Sequence, residues 1–174
     1  MLGRYYKKML IRNNRGQMMV EAMVAMTIVI FGLLGVFAFL SRSLSLNRVV
    51  SNQYVGSNLA AEGIEMVKNL IDRNVILGNV AWNKGLSSNN YEADYKSYRN
   101  GLTVYSGRKL NFNETTHYYS YDPGTETPYT REIIITQPSG LTDELIVQSR
   151  VRWSSRGGAE FEVVLEDHFY NWRS

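Results

Sequence analysis

The sequence predicts an α+β fold in which one very long N-terminal helix packs against a C-terminal antiparallel β-sheet. An apolar run, followed by apolar residues at helical spacing, occupies the first part of the chain, and β-type alternation occupies the last part. With 174 residues, 44% of them hydrophobic, the chain can form one modest core in addition to a membrane segment. We expect a basic leader at 1–16, a membrane half of the helix at 17–45, an amphipathic half at 46–74 and a β-rich head at 75–174.

The leader carries most of the positive charge of the chain. It contains no acid and five cations, which are Arg4, Lys7, Lys8, Arg12 and Arg15. Removing those five from the 19 Lys and Arg leaves 14 cations against 16 anions, a net charge of −2 for the remainder. Such a chain lacks the basic face that phosphate-backbone binding needs, so nucleic acid is an unlikely partner. There is no cysteine, which excludes disulfides and thiolate metal sites.

The long helix begins with a segment that is suited to a membrane. Residues 22–40 are apolar or small, and Thr27 is the single polar interruption. At 1.5 Å per residue this run spans about 28 Å, close to the hydrocarbon thickness of a bilayer. Cations are denser on its N-terminal flank, so the positive-inside rule places that flank in the cytoplasm and the C-terminal head outside.

Beyond the membrane run, apolar residues continue at steps of three and four, which predicts an amphipathic helix. They are Leu46, Val50, Tyr54, Ala61, Ile64, Val67 and Ile71. Asn74 and Gly78 are candidate stop signals. An unbroken helix over 17–74 would be about 85 Å long, more than a small globular domain needs.

Four glycines of this helix allow two interpretations. Gly32, Gly35, Gly56 and Gly63 are explained equally well by close packing or bending and by the ordinary tolerance of membrane helices for glycine. All three prolines lie beyond residue 120, so any kink must arise without proline.

The C-terminal part reads as a sheet. Residues 79–100 show no sustained period, which predicts a loop with at most short elements. Runs of β character follow at 102–105, 117–121, 129–137, 144–153 and 159–169. The last two predict a hairpin around 154–158, with one apolar face and one face of complementary charges. The expected pairs are Val151 with Phe161, Trp153 with Ala159, Arg152 with Glu160, and Arg150 with Glu162.

The order of the N-terminal features is the main functional signal. An ordinary secretory signal is cut after its apolar segment, whereas in this sequence the candidate cleavage site lies before the apolar segment. The string Gly16-Gln17-Met18-Met19-Val20-Glu21 resembles the cleavage segment of the type IV prepilin family. The resemblance implies a pilin-like fold and a prepilin peptidase that cuts between Gly16 and Gln17 and methylates the new amine of Gln17. Gln17 and Met18 differ from the usual Phe and Thr or Ser of that motif.

Glu21 is the residue with the clearest physical signal. A carboxylate among apolar neighbours costs about 2.5 to 3.5 kcal/mol at a bilayer centre, and less near the interface. The family resemblance implies a partner, the amine of Gln17 on the same or a neighbouring subunit in a filament core. Alternatively, Glu21 lies among the lipid headgroups near Arg15.

A second resemblance extends over most of the chain beyond the leader. Residues 58–65, 129–135 and 164–172 look like the PilV-like type IV pilus modification group of minor pilins. It implies a minor subunit whose partners are other pilin subunits, the prepilin peptidase and the inner-membrane assembly machinery. It also implies a single-pass cell-membrane precursor that becomes part of an extracellular filament. A type IV pilus, a secretion pseudopilus and a DNA-uptake filament all stay open.

Other residues give weaker signals. His117 and His168 lack metal-ligand spacing and are expected to be strand or core histidines. Asp122 and Glu126 could hold calcium, although an ordinary turn is the simpler interpretation. Two further candidates are a glycosylation sequon at Asn113 and a tyrosine-rich stretch that contains Tyr118, Tyr119 and Tyr121. These tyrosines either form an exposed adhesive patch or, as strand tyrosines usually do, pack within the sheet.

No catalytic motif occurs in the sequence, so we expect no enzyme activity and no cofactor or metal. The alternative function is a single-span, membrane-anchored extracellular binding protein that does not polymerise. An anchored enzyme is a third possibility, which convergent titratable groups in a pocket of the head would favour.

Overall fold

The computed structural model describes residues 15–139, 143–155 and 158–172. Residues 1–14 of the expected leader lie outside that range. One helix, α1 (Arg15–Leu77, 63 residues), is followed by an antiparallel sheet, which confirms the α+β class. The chain divides into two compact units, Met1–Asn47 and Arg48–Ser174. The described residues of the first unit are all helical, and the sheet belongs entirely to the second.

The end of α1 lies three residues beyond the predicted one. Gly78 adopts a left-handed φ of 67°, and its N–H donates to the carbonyl of Asn74 at 3.3 Å. Glycine takes this conformation without steric penalty, so Gly78 is the stop signal. Asn74 itself stays helical and buried, and its amide donates to the carbonyls of Trp82 (3.1 Å) and Lys84 (3.0 Å). Asn74 therefore holds the following loop against the helix.

In the part of the chain that the structure describes, the sheet has seven strands, and the long strand β5 is the central one. The strands are β1 (Asn89–Glu92), β2 (Thr103–Val104), β3 (Lys109–Phe112), β4 (Tyr119–Ser120), β5 (Thr125–Thr136), β6 (Glu144–Ser154) and β7 (Glu160–Tyr170), with a short helix α2 (Ser97–Asn100) after β1. One edge of β5 pairs with β6, which pairs with β7. The other edge pairs with β3 in its first half and β1 in its second half. Strands β2 and β4 extend these two short strands.

The predicted strands are found, but β1 and β3 were not predicted. Each has only four residues, and β1 begins with two asparagines, so neither shows an apolar alternation. Strand β5 begins four residues earlier than predicted and includes Pro128. Proline is tolerated there because the pairing with β3 is irregular opposite Lys109 and Asn111.

The second half of α1 packs on one face of the sheet. Alternate residues of β6 point to the helix and are buried, as the alternation predicted: Leu145, Val147, Ser149, Val151 and Trp153. The four apolar residues of this row pack in two apolar clusters with residues of the helix, which are Leu59, Ala60, Met66, Val67, Leu70 and Ile71. This core belongs entirely to the unit Arg48–Ser174.

Two glycines permit the close approach of helix and sheet. A Cβ at Gly56 would lie 2.6 Å from the ring of Trp153, and one at Gly63 would lie 2.2 Å from Oγ of Ser149. Among the described residues, nothing lies within 4 Å of the position of a Cβ at Gly32 or Gly35. Close packing is therefore the explanation for Gly56 and Gly63, and their partner is the sheet of the same chain.

The register predicted for the β6–β7 hairpin is wrong by two residues. Val151 pairs with Val163 rather than Phe161, and Trp153 pairs with Phe161 rather than Ala159. Likewise, Arg152 pairs with Glu162 and Arg150 with Val164. Each face keeps its residues because side chains alternate with a period of two. Stacking of Trp153 on Phe161, with ring centroids 5.7 Å apart, favours the observed register.

Candidate functional site

The start of α1 holds all three residues that the sequence analysis singled out. Gly16 and Gln17 lie in its first turn, and no heavy atom lies within 4 Å of the position of a Cβ on Gly16. The described residues thus leave the bond between Gly16 and Gln17 sterically open. A protease that binds extended backbone would have to unwind this turn, which is the least stable part of a helix.

Glu21 follows Gln17 by four residues, so the two lie on the same face of the helix. Its side chain is exposed, and it has no hydrogen bond or ion pair with the described residues. After a cut at Gly16, the amine of Gln17 would lie one helical turn from this carboxylate, about 6 Å away between Cβ atoms. The geometry permits a pairing of these groups within one chain or between adjacent chains.

The surface around Glu21 is apolar on every side of the helix. The large apolar residues between Met18 and Leu40 are exposed by 50 to 73%. The single polar residue of the run is satisfied internally, since Thr27 donates its hydroxyl to the carbonyl of Met23 at 2.7 Å. The helix is long and apolar enough to cross a membrane, with a mean hydropathy of 2.6 over its best window. It can therefore serve as a membrane anchor.

Arg131 is a central residue of the second unit that the sequence analysis missed. Its side chain is fully buried between α1 and the sheet, where it donates to the carbonyl of Leu59 at 3.2 Å, the carboxylate of Glu62 at 3.0 Å and the carbonyl of Ala93. It lies on the helix-facing row of β5, two residues before Ile133. The period of two in this strand was the available signal.

Glu92 is a second buried charge. Its carboxylate accepts hydrogen bonds from the backbone N–H groups of Ser106 (3.0 Å) and Arg108 (3.1 Å), from the Ser106 hydroxyl and from the Arg108 guanidinium. Burial alone would raise the pKa of Glu92, but these donors outweigh it and lower the pKa. Glu92 thereby ties the connection between β2 and β3 to β1.

The outer face of the sheet carries the complementary charges that were predicted. They lie around Glu132, which the sequence analysis did not single out. Glu132 of β5 accepts from Arg150 at 3.3 Å, from Arg152 and from Asn90 at 2.7 Å. Glu162 lies 3.5 Å from Arg150 and 3.4 Å from Arg152. This network is a structural feature of the sheet.

The histidines do not come together. His117 lies before β4 with a φ of 58°, exposed and outside any strand, so its assignment as a strand or core histidine is wrong. His168 is in β7, where Nδ1 lies 2.7 Å from Glu144 and Nε2 lies 3.4 Å from Glu166. The hydrogen bonds to Glu144 and Glu166 raise the pKa of His168.

The loop between β4 and β5 has no convergent metal ligands among the described residues. The carboxylate of Asp122 pairs with Lys96, and that of Glu126 with Lys109 at 2.8 Å. Within the described ranges, no group of three His, Asp or Glu side chains is placed to hold a metal. Asp122 lies in the turn before β5 and Glu126 lies in β5 itself, and an ion pair with a lysine accounts for each acid.

Contacts within the domain account for Asn113 and for two of the three tyrosines. Oδ1 of Asn113 accepts the N–H groups of Thr115 (2.9 Å) and Thr116 (3.0 Å), which is a local turn motif. Tyr119 and Tyr121 are half-buried against the core, whereas Tyr118 is 56% exposed and lies against Tyr95, with centroids 5.5 Å apart.

Fold and site together define a protein with one membrane-capable N-terminal helix and an α+β domain built on the second half of that helix. No family model, curated protein or solved structure matches the chain.

Proposed function

We propose that this chain is a structural subunit, a minor pilin or pseudopilin, of a type IV pilus-like filament. A prepilin peptidase cuts it between Gly16 and Gln17 and methylates Gln17, and the subunit is then assembled by helix packing. The observation that carries the proposal is Glu21, a lone carboxylate one turn from Gln17 on an exposed apolar helix that continues into a packed domain.

The energetics of an apolar helix support assembly. The exposed side chains of 18–40 are stable in lipid and equally stable against the same surface of neighbouring helices, so the segment can move from the membrane into a filament core. Glu21 makes this transfer selective because its charge needs a partner away from water. The amine of Gln17 on an adjacent subunit supplies one.

The proposed precursor is a single-pass protein of the cell membrane with the C-terminal domain outside, and it later becomes part of an extracellular filament. Its partners are other pilin subunits, the prepilin peptidase and the inner-membrane assembly machinery. The role is assembly, and we propose no reaction catalysed by this chain.

Mass spectrometry of the N-terminus tests the proposal. In cells with a prepilin peptidase, we expect a mature chain that begins at methylated Gln17, and an intact Met1 there would overturn the proposal in favour of an unpolymerised, single-span binding protein. Glu21→Ala should leave membrane insertion unchanged and lower incorporation into filaments. Glu126→Ala, which removes an exposed acid of the sheet, is the matched control and should assemble normally.

A further inference from the structure

The turn between β3 and β4 carries a sequence motif that the proposed function does not use. Asn113, Glu114 and Thr115 form the N-x-[ST] pattern of an asparagine that accepts a glycan. Every other asparagine of the sequence lacks a serine or threonine two positions later. Because such a short pattern also arises by chance, its structural surroundings decide whether this asparagine can be modified.

The motif lies in a turn at the surface of the domain. Residues 114–118 are all exposed, and none of them belongs to a strand. The turn is closed at its base, where the N–H of Asn113 donates to the carbonyl of Tyr118 at 3.0 Å. Strand β4, which follows the turn, has only two residues and lies at an end of the sheet. A small local opening at this edge therefore gives an enzyme access to the turn.

The side chain of Asn113 is held by its oxygen, which leaves its nitrogen free. Oδ1 accepts the N–H groups of Thr115 at 2.9 Å and Thr116 at 3.0 Å. In the part of the chain that the structure describes, Nδ2 has no hydrogen bond and is not fully buried. The Thr115 hydroxyl is exposed and makes no hydrogen bond to a described residue. The motif needs an accessible amide nitrogen and a free hydroxyl two residues later, and both are present.

Other asparagines of the domain use their amide nitrogens within the fold. Nδ2 of Asn74 donates to two loop carbonyls, and Nδ2 of Asn90 donates to Glu132 at 2.7 Å. Nδ2 of Asn111, two residues before the motif, donates to the carbonyl of Asp122 at 2.9 Å. Modification of these nitrogens would break hydrogen bonds of the domain, whereas modification of Asn113 would break none.

We infer that Asn113 is glycosylated on Nδ2. The donor is an oligosaccharide that is joined through a diphosphate to a membrane lipid. The amide nitrogen bonds to the anomeric carbon of the first sugar, and the bond from that carbon to the diphosphate oxygen breaks. The lipid diphosphate leaves with the bonding electrons, and the nitrogen gives one proton to a base of the transferring enzyme. The inference rests on the location in the proposed function, which places the domain outside the membrane.

A glycan at this position is compatible with the fold. It replaces one hydrogen of Nδ2, so Oδ1 keeps both of the hydrogen bonds that form the turn. None of residues 113–118 belongs to the apolar clusters between α1 and the sheet. Tyr118, in the same turn, is 56% exposed. A bulky hydrated group beside this tyrosine would make the surface of the turn more soluble.

Mass spectrometry of the full-length chain, purified from the cells that make it, tests the inference. We expect the peptide that contains Asn113 to gain the mass of one or more sugar residues, and fragmentation to place that mass on Asn113. Thr115→Ala removes the hydroxyl but keeps the backbone N–H that donates to Asn113, so the turn should persist while the mass gain is lost. Thr115→Ser keeps a hydroxyl and should keep the mass gain.

Thr116→Ala is the matched control, because it removes the neighbouring exposed hydroxyl, which lies outside the motif. The mass gain should be unchanged in this variant. An unmodified Asn113 in the native chain would overturn the inference. So would a mass gain that survives Thr115→Ala, or one that fragmentation places on another residue.

The same spectra separate this inference from the proposed function. A chain that begins at methylated Gln17 and has an unmodified Asn113 contradicts the glycan alone. A chain that keeps Met1 and carries the glycan contradicts the proposed cleavage, while the domain is still outside the membrane. A chain with Met1 and an unmodified Asn113 contradicts both.

Discussion

Gly63→Ala is the substitution that most directly tests the packing of the helix on the sheet. The new Cβ would lie 2.2 Å from Oγ of Ser149 and 2.7 Å from Cδ1 of Ile133. The isoleucine methyl is the end of a flexible side chain and can move, whereas Ser149 is a short side chain on a central strand. Overpacking of this kind costs about 1 to 3 kcal/mol. Replacing glycine by alanine inside a helix stabilises the helix by about 0.8 to 1 kcal/mol. The expected net loss of stability is about 1 kcal/mol.

Ser149→Ala should reverse that effect. The Ser149 hydroxyl is buried and has no hydrogen-bond partner among the described residues, so its removal should be neutral or stabilising. With the hydroxyl gone, the closest contact of the new Cβ disappears and the helix-propensity gain remains. Gly63→Ala in the Ser149→Ala background should therefore be neutral or slightly stabilising. The coupling energy between the two changes should be about 1 to 2 kcal/mol.

The assay is urea unfolding of the full chain in detergent micelles, followed by tryptophan fluorescence. All three tryptophans lie in the unit Arg48–Ser174, and Trp153 is buried in its core. Gly35→Ala is the control, because no residue that the structure describes lies within 4 Å of the position of its Cβ, and it should leave the transition of the domain unchanged. Additive effects of Gly63→Ala and Ser149→Ala, within about 0.3 kcal/mol, would refute the close approach of helix and sheet.

Three further predictions concern the charged groups of the domain. Glu62→Ala should destabilise the domain by about 3 kcal/mol, since it leaves the buried guanidinium of Arg131 without its ion pair. Glu65→Ala removes only an exposed ion pair and should change stability by less than about 1 kcal/mol. Because the pKa of Glu92 is lowered from 4.5, the stability that this carboxylate gives the folded domain is present above pH 4.5 and is lost as the pH falls through the lowered pKa. Glu92→Gln should therefore flatten the acid limb of a curve of domain stability against pH. Because the pKa of His168 is raised from 6.5, the stability that the protonated ring gives the folded domain is complete below pH 6.5 and is lost as the pH rises through the raised pKa. In His168→Asn, domain stability should no longer fall over this pH range.

Each of these has a clear contrary outcome. Equal effects of Glu62→Ala and Glu65→Ala in urea unfolding would show that the ion pair of Arg131 does not matter more than an exposed one. An acid limb that keeps its slope in Glu92→Gln would place the responsible carboxylate elsewhere. For His168, an NMR titration midpoint at or below 6.5 would contradict its contacts with the two carboxylates.

Local patterns predicted the long helix well. The apolar run and the amphipathic stripe extend over 17–74, and the observed helix is Arg15–Leu77, because a helix depends mainly on hydrogen bonds and spacing within its own segment. The same holds for the alternation of β6, whose inward residues are those the sequence indicated. The strand register could not be predicted in this way. The stacking of Trp153 on Phe161 favours the observed register, and a contact between two strands is not a local property of either one.

The sequence predicted only the part of the candidate site whose residues are close together in the chain. Gly16, Gln17 and Glu21 fall within six consecutive residues, and the common helical face of Gln17 and Glu21 follows from their spacing of four alone. The groove that joins Glu65 and Asp72 of the helix to Asp94 was not predicted, because Asp94 lies more than twenty residues further along the chain. No periodic signal connects residues so far apart in the chain.

The sequence by itself determined the fold class, the membrane-capable segment and the position of one carboxylate at its start, because each depends on composition and on spacing within a single element. Only the tertiary structure decided which glycines of α1 touch the sheet, and which acids are buried and which are exposed. Those outcomes depend on contacts between segments that are distant in the chain. The close packing of helix on sheet at Gly56 and Gly63, and the burial of Arg131 between them, exist only once both elements are in place.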